Sequence, residues 1–270
     1  MTQATGNNYP VGLRYGAAFS LTSTGYPNAT SPTTPYEGVQ FVSADALDLN
    51  VPDPRQINHP GDDRLAAVDY LPSLEAVTGT LTASRYDLDL NALLTGVTVV
   101  DIGEMDSMSW FTDQQGNEPS VGLFFYQQAL SGSSKARNWR SFLIPSARCI
   151  PKPGPMNSDQ NNLQYTIAIN PTQSQLWGAA LSIVTNGATE HGFVEFHSEK
   201  KPWLAAWLAN GTATQFSFSA NHQAYSTAKI SVWDNGLDVT GTATLATDKI
   251  TFSPAPTSGH VIVAWYEQSV

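Results

Sequence analysis

Residues 51–96 read VPDPRQINHPGDDRLAAVDYLPSLEAVTGTLTASRYDLDLNALLTG, and this stretch decides the fold. Its first part, 51–71, reads as a long polar loop restrained by Pro52, Pro54, Pro60 and Pro72. Connections beyond about 12–15 residues without secondary structure are usually functional or disordered. Leu65, Ala66, Ala67, Val68 and Tyr70 give this one apolar surface as well. The loop runs into a strand expected over 73–83, with Thr78, Thr80 and Thr82 on one face and Val77 and Leu81 on the other. A helix follows over about 85–95, opened by Ser84 or Arg85. Asp87 and Asp89 then fall in its first turn and Gly96 is its C-cap. Leu88, Leu90, Leu93 and Leu94 supply its apolar side. Nothing here resembles a catalytic pocket; the pattern is a β-framework that projects and stiffens a contact loop.

Outward from that stretch, composition points the same way. Only 13% of the 270 residues are charged, and Ser, Thr, Asn, Gln and Gly separate short apolar runs. That mixture suits strands and turns better than helical bundles, whose exposed faces need Glu, Lys and Arg. The fold class expected is all-β: an antiparallel two-sheet sandwich with one short helix, plus a small C-terminal β-sandwich. Before the loop, 39–50 (VQFVSADALDLN) reads as a strand with neither face cleanly apolar, one for which the second face meets solvent or a partner subunit. Asp45 and Asp48 fall on its opposite faces. After the helix, VTVVDIGEM, SVGLFFYQQAL, NWRSFLI, LQYTIAIN, ALSIVTN and GFVEFHS are strand-like, and SGSSKAR is a hairpin connection.

The composition shifts near 208–212, so a domain of 1–208 and a smaller one of 209–270 are expected. In the second, short strands alternate with turns such as Asp234-Asn235-Gly236. The first carries 11 Lys+Arg against 19 Asp+Glu and the second 2 against 4, so the acidity belongs mainly to the first.

The net charge of −10 argues against a protein that grips nucleic-acid phosphates. A single cysteine, Cys149, excludes an intrachain disulfide and reads as a buried, inert thiol. No basic-then-apolar leader and no run of about 18 apolar residues is present, so cytoplasmic synthesis without a membrane span is expected.

Catalytic signatures are missing: no G-x-S-x-G, P-loop, G-x-G-x-x-G or H-E-x-x-H occurs. His59 beside Asp62 and Asp63, Glu190-His191, and Glu195 with His197 bring imidazoles near carboxylates. Two ligands fall short of the three or four a zinc site wants, and a structural role is the expected one. Trp139, Trp233 and Trp265 sit inside apolar strand patterns and read as core rather than as a sugar platform. No enzyme activity, cofactor or metal is expected.

The run GVQFVSADALDLNVPDPRQINHPGDDRLAAVDYLPSLEAVTGTLTASRYDLDLNALLTG resembles the core of bacteriophage major tail proteins, the subunits of the tail tube. The shared elements are a strand, a long Pro-containing loop, a strand of L-P-x-L-E-x-x-x-G-x-L-T type and a short helix ending in L-T-G. The end of the chain, with its S-P-A-P-x-x-G-x-x-I-x-x-x-Y pattern, is similar to small β-domains appended to many phage structural proteins.

The resemblance implies a homohexameric ring in which one sheet of each subunit joins its neighbours around a channel. Rings then stack into a tube in the virion tail. It implies an inter-ring role for the loop residues Arg55, Asp62, Asp63, Arg64, Leu65 and Tyr70. Asp45, Asp48 and Glu75 become candidate acids of a lumen that lets phage DNA slide through without sticking. Other tail components (tape measure, terminator, baseplate) become expected partners, and the second domain is expected outside the tube, as in a flexible, sheathless tail. A capsid decoration or baseplate protein, or a carbohydrate-binding β-sandwich, are the rival readings.

Overall fold

The computed structural model describes residues 8–10, 15–42, 48–50, 55–61, 64–71, 77–84, 87–102, 105–108, 118–131, 137–152, 163–173, 177 and 190–269. The fold is all-β, antiparallel throughout and sandwich-type, with a single α-helix among the described residues.

A nine-stranded sheet is built around one long hairpin, β10 (Ser120–Ser131) with β11 (Arg137–Lys152). On the free side of β10 lie β1 (Asn8–Pro10) and β2 (Tyr15–Ser20), and β3 (Val39–Phe41) continues from β2. On the free side of β11, its first half pairs with β15 (Val194–Ser198) and its second half with β12 (Leu163–Ile169). Pro145 falls between those two stretches, where the ladder with β10 also breaks register, a place that tolerates a missing N–H. β7 (Thr78–Ala83) and then β4 (Asp48–Asn50) complete the sheet.

This sheet cannot be flat. β3 and β4 stand at opposite ends of a seven-strand path, six spacings of roughly 4.8 Å apart, about 29 Å. The chain from Phe41 to Asp48 reaches only about 25 Å when fully extended. The sheet therefore curls until its ends meet. At the seam both the backbone N–H and the hydroxyl of Ser84, just after β7, donate to the Val42 carbonyl, just after β3, each at 2.9 Å. Inside the curl, Phe41 and Leu81 from the two ends share one core with Val121, Leu123, Phe125 and Tyr165.

The helix α1 (Leu88–Thr95) fills the inside of that curl with Leu90 and Leu94. Asp87 caps it, accepting from the Leu90 N–H, and Gly96 ends it at φ 73°, donating to the Ala92 carbonyl. The helix thus begins at Leu88 rather than at 85, because Asp87 serves as its cap instead of its first turn. Its buried Asn91 accepts a 2.8 Å hydrogen bond from the Tyr165 hydroxyl, which satisfies two polar groups inside the core.

The opposite face of the large sheet is covered by the C-terminal residues. A four-stranded sheet runs β16 (Pro202–Leu208), β22 (Val261–Glu267), β18 (Ile230–Asp234), β19 (Leu237–Asp238). A three-stranded one runs β17 (Gln215–Ser217), β21 (Lys249–Thr251), β20 (Thr244–Leu245). Together they form the small sandwich expected from the sequence. Its Asn235-Gly236 turn has φ 49° and 84°, positive at both central positions as a two-residue hairpin turn of type I′ requires.

Within the four-stranded sheet, β16 and β22 form a middle layer, buried on both sides. Register sets Leu204 and Trp265 on one face and Trp203, Trp207 and Tyr266 on the other. Trp265 packs edge-on against Phe124 and Phe196 of the large sheet, with centroids 5.2 and 5.1 Å apart. Trp207 and Tyr266 meet Phe216 and Phe218 of the three-stranded side. Burial on two faces explains why PWLAAWL and VIVAWYE are unbroken apolar runs rather than alternating ones.

Trp233 and Trp265 are core residues and Trp139, half-buried, packs against the same core beside Tyr126, as their strand contexts suggest. One hydrophobic core spans both parts of the chain. The division at 208/209 passes between β16 and the strand to which it is hydrogen-bonded along its whole length. Residues 21–38 also cross over to β16, where Tyr36 and Ala206 exchange backbone hydrogen bonds of 2.8 and 2.9 Å. The connection from β15 to β16 is pinned as well. The Lys201 ammonium lies 4.4 Å from the Trp203 ring centroid and 4.9 Å from that of Tyr126. Burial lowers its pKa. The C-terminal sandwich is a layer of the body, not a pendant.

Candidate assembly interface

Two hairpins stand apart from these layers. β5 (Arg55–Gly61) pairs only with β6 (Arg64–Leu71), and β8 (Val99–Ile102) only with β9 (Met105–Met108), among the described strands. A third minor pair, β13 (Thr172–Gln173) with β14 (Glu190–His191), is two residues long on each side.

The loop expected over 51–71 is thus corrected to a hairpin. Register pairs Arg55 with Leu71, Gln56 with Tyr70, Pro60 with Leu65 and Gly61 with Arg64. Only Asp62 and Asp63 separate the strands, and both lie outside the described residues. Prolines that read as loop-formers are compatible with this arrangement for a physical reason. Pro60 sits at the register shift after His59, and a two-stranded ribbon has nothing but edges, where a missing N–H is tolerated. Arg55 therefore stands at the base of the hairpin, Arg64 and Leu65 near its tip, and Tyr70 one position from the base.

Of the candidate lumen acids, Asp48 falls on β4, opposite Thr80, at the edge of the large sheet. Asp45 and Glu75 lie outside the described residues. The strand expected over 39–50 is divided: β3 and β4 occupy opposite ends of the curled sheet.

One sheet face is left uncovered by the layers above: the outer side of β4, β7, β12 and the second half of β11. There Cys149, Ile167 and Leu81 turn inward, while Arg148, Ile150 and Lys152 turn outward with Gln164 and Thr166 of β12. The signal for this face was the alternation Arg-Cys-Ile-Pro-Lys at 148–152, which sequence reading passed over.

Beside it opens a cleft of about 440 Å³, between Thr22, Ser23, Thr24 and Gly25 on one wall and Ser120 and Ser146 on the other. Thr22 and Thr24 share a 2.9 Å hydroxyl–hydroxyl hydrogen bond, and the Tyr26 N–H donates to Thr22. Arg148, exposed, is the direct cross-strand neighbour of Ser120.

Of the imidazole–carboxylate pairs, Asp62 and Asp63 lie outside the described residues, and Glu195 with His197 is the one whose side chains are described. Glu195 is held by Arg140, which donates from Nε to Oε1 and from Nη2 to Oε2 at 2.9 Å; His197 adds a 3.1 Å contact. The hydrogen bonds from Arg140 keep the Glu195 carboxyl below the usual range. Among the described residues no three of His, Cys, Asp and Glu gather in a metal-sized cluster. Cys149 is wholly buried, and burial, followed by the charge of Glu118, pushes its thiol up to about 12.

No protein-family model matches this chain, and no curated protein matches it.

Proposed function

We propose that this chain is a structural subunit of a bacteriophage tail tube, a self-assembling protein rather than an enzyme. The observation that carries the proposal is the β5–β6 hairpin, a two-stranded ribbon of seven and eight residues that pairs with no other described strand. An isolated two-stranded hairpin is marginal in water, so one of this length is made to be completed by a partner. The sequence resemblance of 38–96 to tail-tube subunits supplies that partner: a copy in the adjacent ring.

The uncovered outer face supports the ring itself. Among the described strands its four strands end in two edges without a further partner, β4 on one side and, on the other, the stretch of β11 beyond Arg148 that β10 no longer pairs. Joined edge to edge in six copies, such sheets close into a barrel, and closure removes the exposed edges that invite aggregation. The face then lines the channel. Its described chemistry is threonine and glutamine with Arg148, Ile150 and Lys152. Six chains of −10 carry −60 in all, and this net field, with Asp45, Asp48 and Glu75 as the candidate lumen acids, keeps DNA phosphates from adhering. The virion tail is the resulting location, with tape measure, terminator and baseplate as the proteins met there.

Negative-stain microscopy of the purified chain tests this. Tubes or six-fold rings are expected; trimers or monomers at every concentration would remove the reading in favour of a decoration or baseplate protein. Replacing 55–71 by a short linker should leave rings or monomers without long tubes, and normal tubes from that variant would detach the hairpin from stacking.

A further inference from the structure

An Asn-Gly pair is where a chain most readily modifies itself, because glycine has no Cβ to shield its nitrogen. Two such pairs lie among the described residues, Asn210-Gly211 and Asn235-Gly236, and a third, at 186–187, lies outside them. We propose that Asn235 is a site of spontaneous deamidation in the folded chain, while the fold shields Asn210 from the same reaction. In the step, the Gly236 nitrogen attacks the carbonyl carbon of the Asn235 side chain. A C–N bond forms to close a succinimide, and the side-chain nitrogen leaves as ammonia with the proton that Gly236 gives up. Water then adds to either imide carbonyl and opens the ring to aspartate or isoaspartate.

The two described pairs differ in one respect that bears on this chemistry. Both asparagines are exposed, and both glycines have positive φ, 80° at Gly211 and 84° at Gly236. Neither glycine N–H donates to a backbone carbonyl among the described residues. The Asn210 side chain, however, is held. Its Oδ1 accepts from the Thr212 N–H at 3.0 Å, the Thr212 hydroxyl at 3.1 Å and the Ala213 N–H at 2.8 Å. These bonds fold the amide forward over residues 212 and 213, and attack by Gly211 has to break them first. The backbone beside it is pinned too, since Ala209 donates to the His260 carbonyl at 2.9 Å and accepts from the Gly259 N–H at 2.8 Å. The Asn235 amide makes no hydrogen bond with another described residue.

The turn at Asn235 has to open before the Gly236 nitrogen can reach the side chain. Opening is easy there, because β19 is two residues long, both exposed, and forms the edge of its sheet. The product is felt locally. Isoaspartate routes the main chain through Cβ and Cγ, which adds an atom to a turn that allows only two residues. Either product places a new carboxylate between Asp234 and Asp238. Deamidation thus marks and loosens the edge of the C-terminal layer while leaving its core intact.

The test is peptide mapping by mass spectrometry, with isoaspartate separated from aspartate by chromatography. The full chain is incubated at pH 8, native and unfolded in guanidinium chloride side by side. Unfolded, Asn210 and Asn235 should convert within about threefold of each other, because the reacting dipeptide is the same. In the native chain Asn235 should convert roughly tenfold or more faster than Asn210, giving aspartate and isoaspartate together. Native rates for the two sites within about threefold, or an Asn235 that stays intact while the unfolded chain converts, overturn the proposal. Conversion is read at each site rather than through assembly, so either result leaves the tube reading where it stands.

Discussion

Gly122→Ala isolates the packing between the large sheet and the C-terminal layer. Gly122 lies on β10 opposite Phe19, and a Cβ there would overlap the six-membered ring of Trp177. Trp177 is wholly buried, meets Phe19 edge-on at 5.6 Å, and its carbonyl accepts the indole N–H of Trp265 from the middle layer. The added methyl thus has two outcomes. If the ring is expelled, the loss approaches that of a Trp→Ala core truncation, about 3–5 kcal/mol. If the backbone yields instead, the cost is that of overpacking, about 1–3 kcal/mol. About 3 kcal/mol is the expected middle, and for a chain of this size about 2–4 °C per kcal/mol translates it into a fall in Tm of about 6–12 °C.

Glycine's conformational freedom is not the issue, because Gly122 is not among the residues with positive φ. Gly241→Ala is the matched control: nothing lies within 4 Å of the point its new methyl would occupy, so a change within about 0.5 kcal/mol is expected. Thermal unfolding followed by circular dichroism, at two concentrations tenfold apart, separates this effect from assembly, which raises Tm with concentration. A Gly122→Ala protein melting within about 1 °C of wild type would refute the claim that Trp177 seals the two layers.

Other expectations follow from single contacts. Asp87→Ala removes the cap of α1 and should cost about 1 kcal/mol, read from urea unfolding, with Asp87→Asn close to wild type. Cys149, with its thiol pushed up to about 12, should react with a thiol reagent at pH 8 only as fast as the protein opens, and a fast native-state reaction would contradict its burial. Arg140→Gln should lose the stability that comes from holding Glu195 below its usual range. That contribution is present above the unfolded carboxyl pKa and disappears as pH falls through the folded one, so wild type and variant should converge in acid. Both partners are substantially exposed, so the gap at neutral pH should be small.

The all-β class, the Asn235-Gly236 turn, the Gly96 cap and the buried tryptophans were legible because each is local. A turn type is fixed by two residues, and a cap by one. The two main departures are nonlocal. Pro54 and Pro60 hid the β5–β6 hairpin, since proline reads as a breaker unless the strand is known to be an edge with a bulge beneath it. The boundary near 208 followed a change in composition, yet β16 lies before it and pairs with β22, more than fifty residues later. Periodicity reports which face of a strand is buried, never which strand lies beside it. PWLAAWL nonetheless carried a readable hint: a strand without alternation needs a layer on each side, and a pendant two-sheet module supplies only one.

That extra layer constrains assembly. With α1 inside the curl and the C-terminal sandwich over β10 and β2, the centre of the large sheet has no free face; Leu123 through Tyr126 are all buried. Among the described residues, the parts of the large sheet left open to a second copy are its edges and the β4–β7–β12–β11 side. An outer module hung on a linker could be removed without consequence for the large sheet. This one cannot, because cutting at 208 strips the cover from Phe124, Phe196 and Trp177 and leaves β16 without its ladder partner. Residues 1–208 alone should be insoluble or molten rather than a minimal tube former. A soluble, cooperatively melting 1–208 fragment would show instead that the shared core is dispensable, and the layered reading of the fold would fall with it.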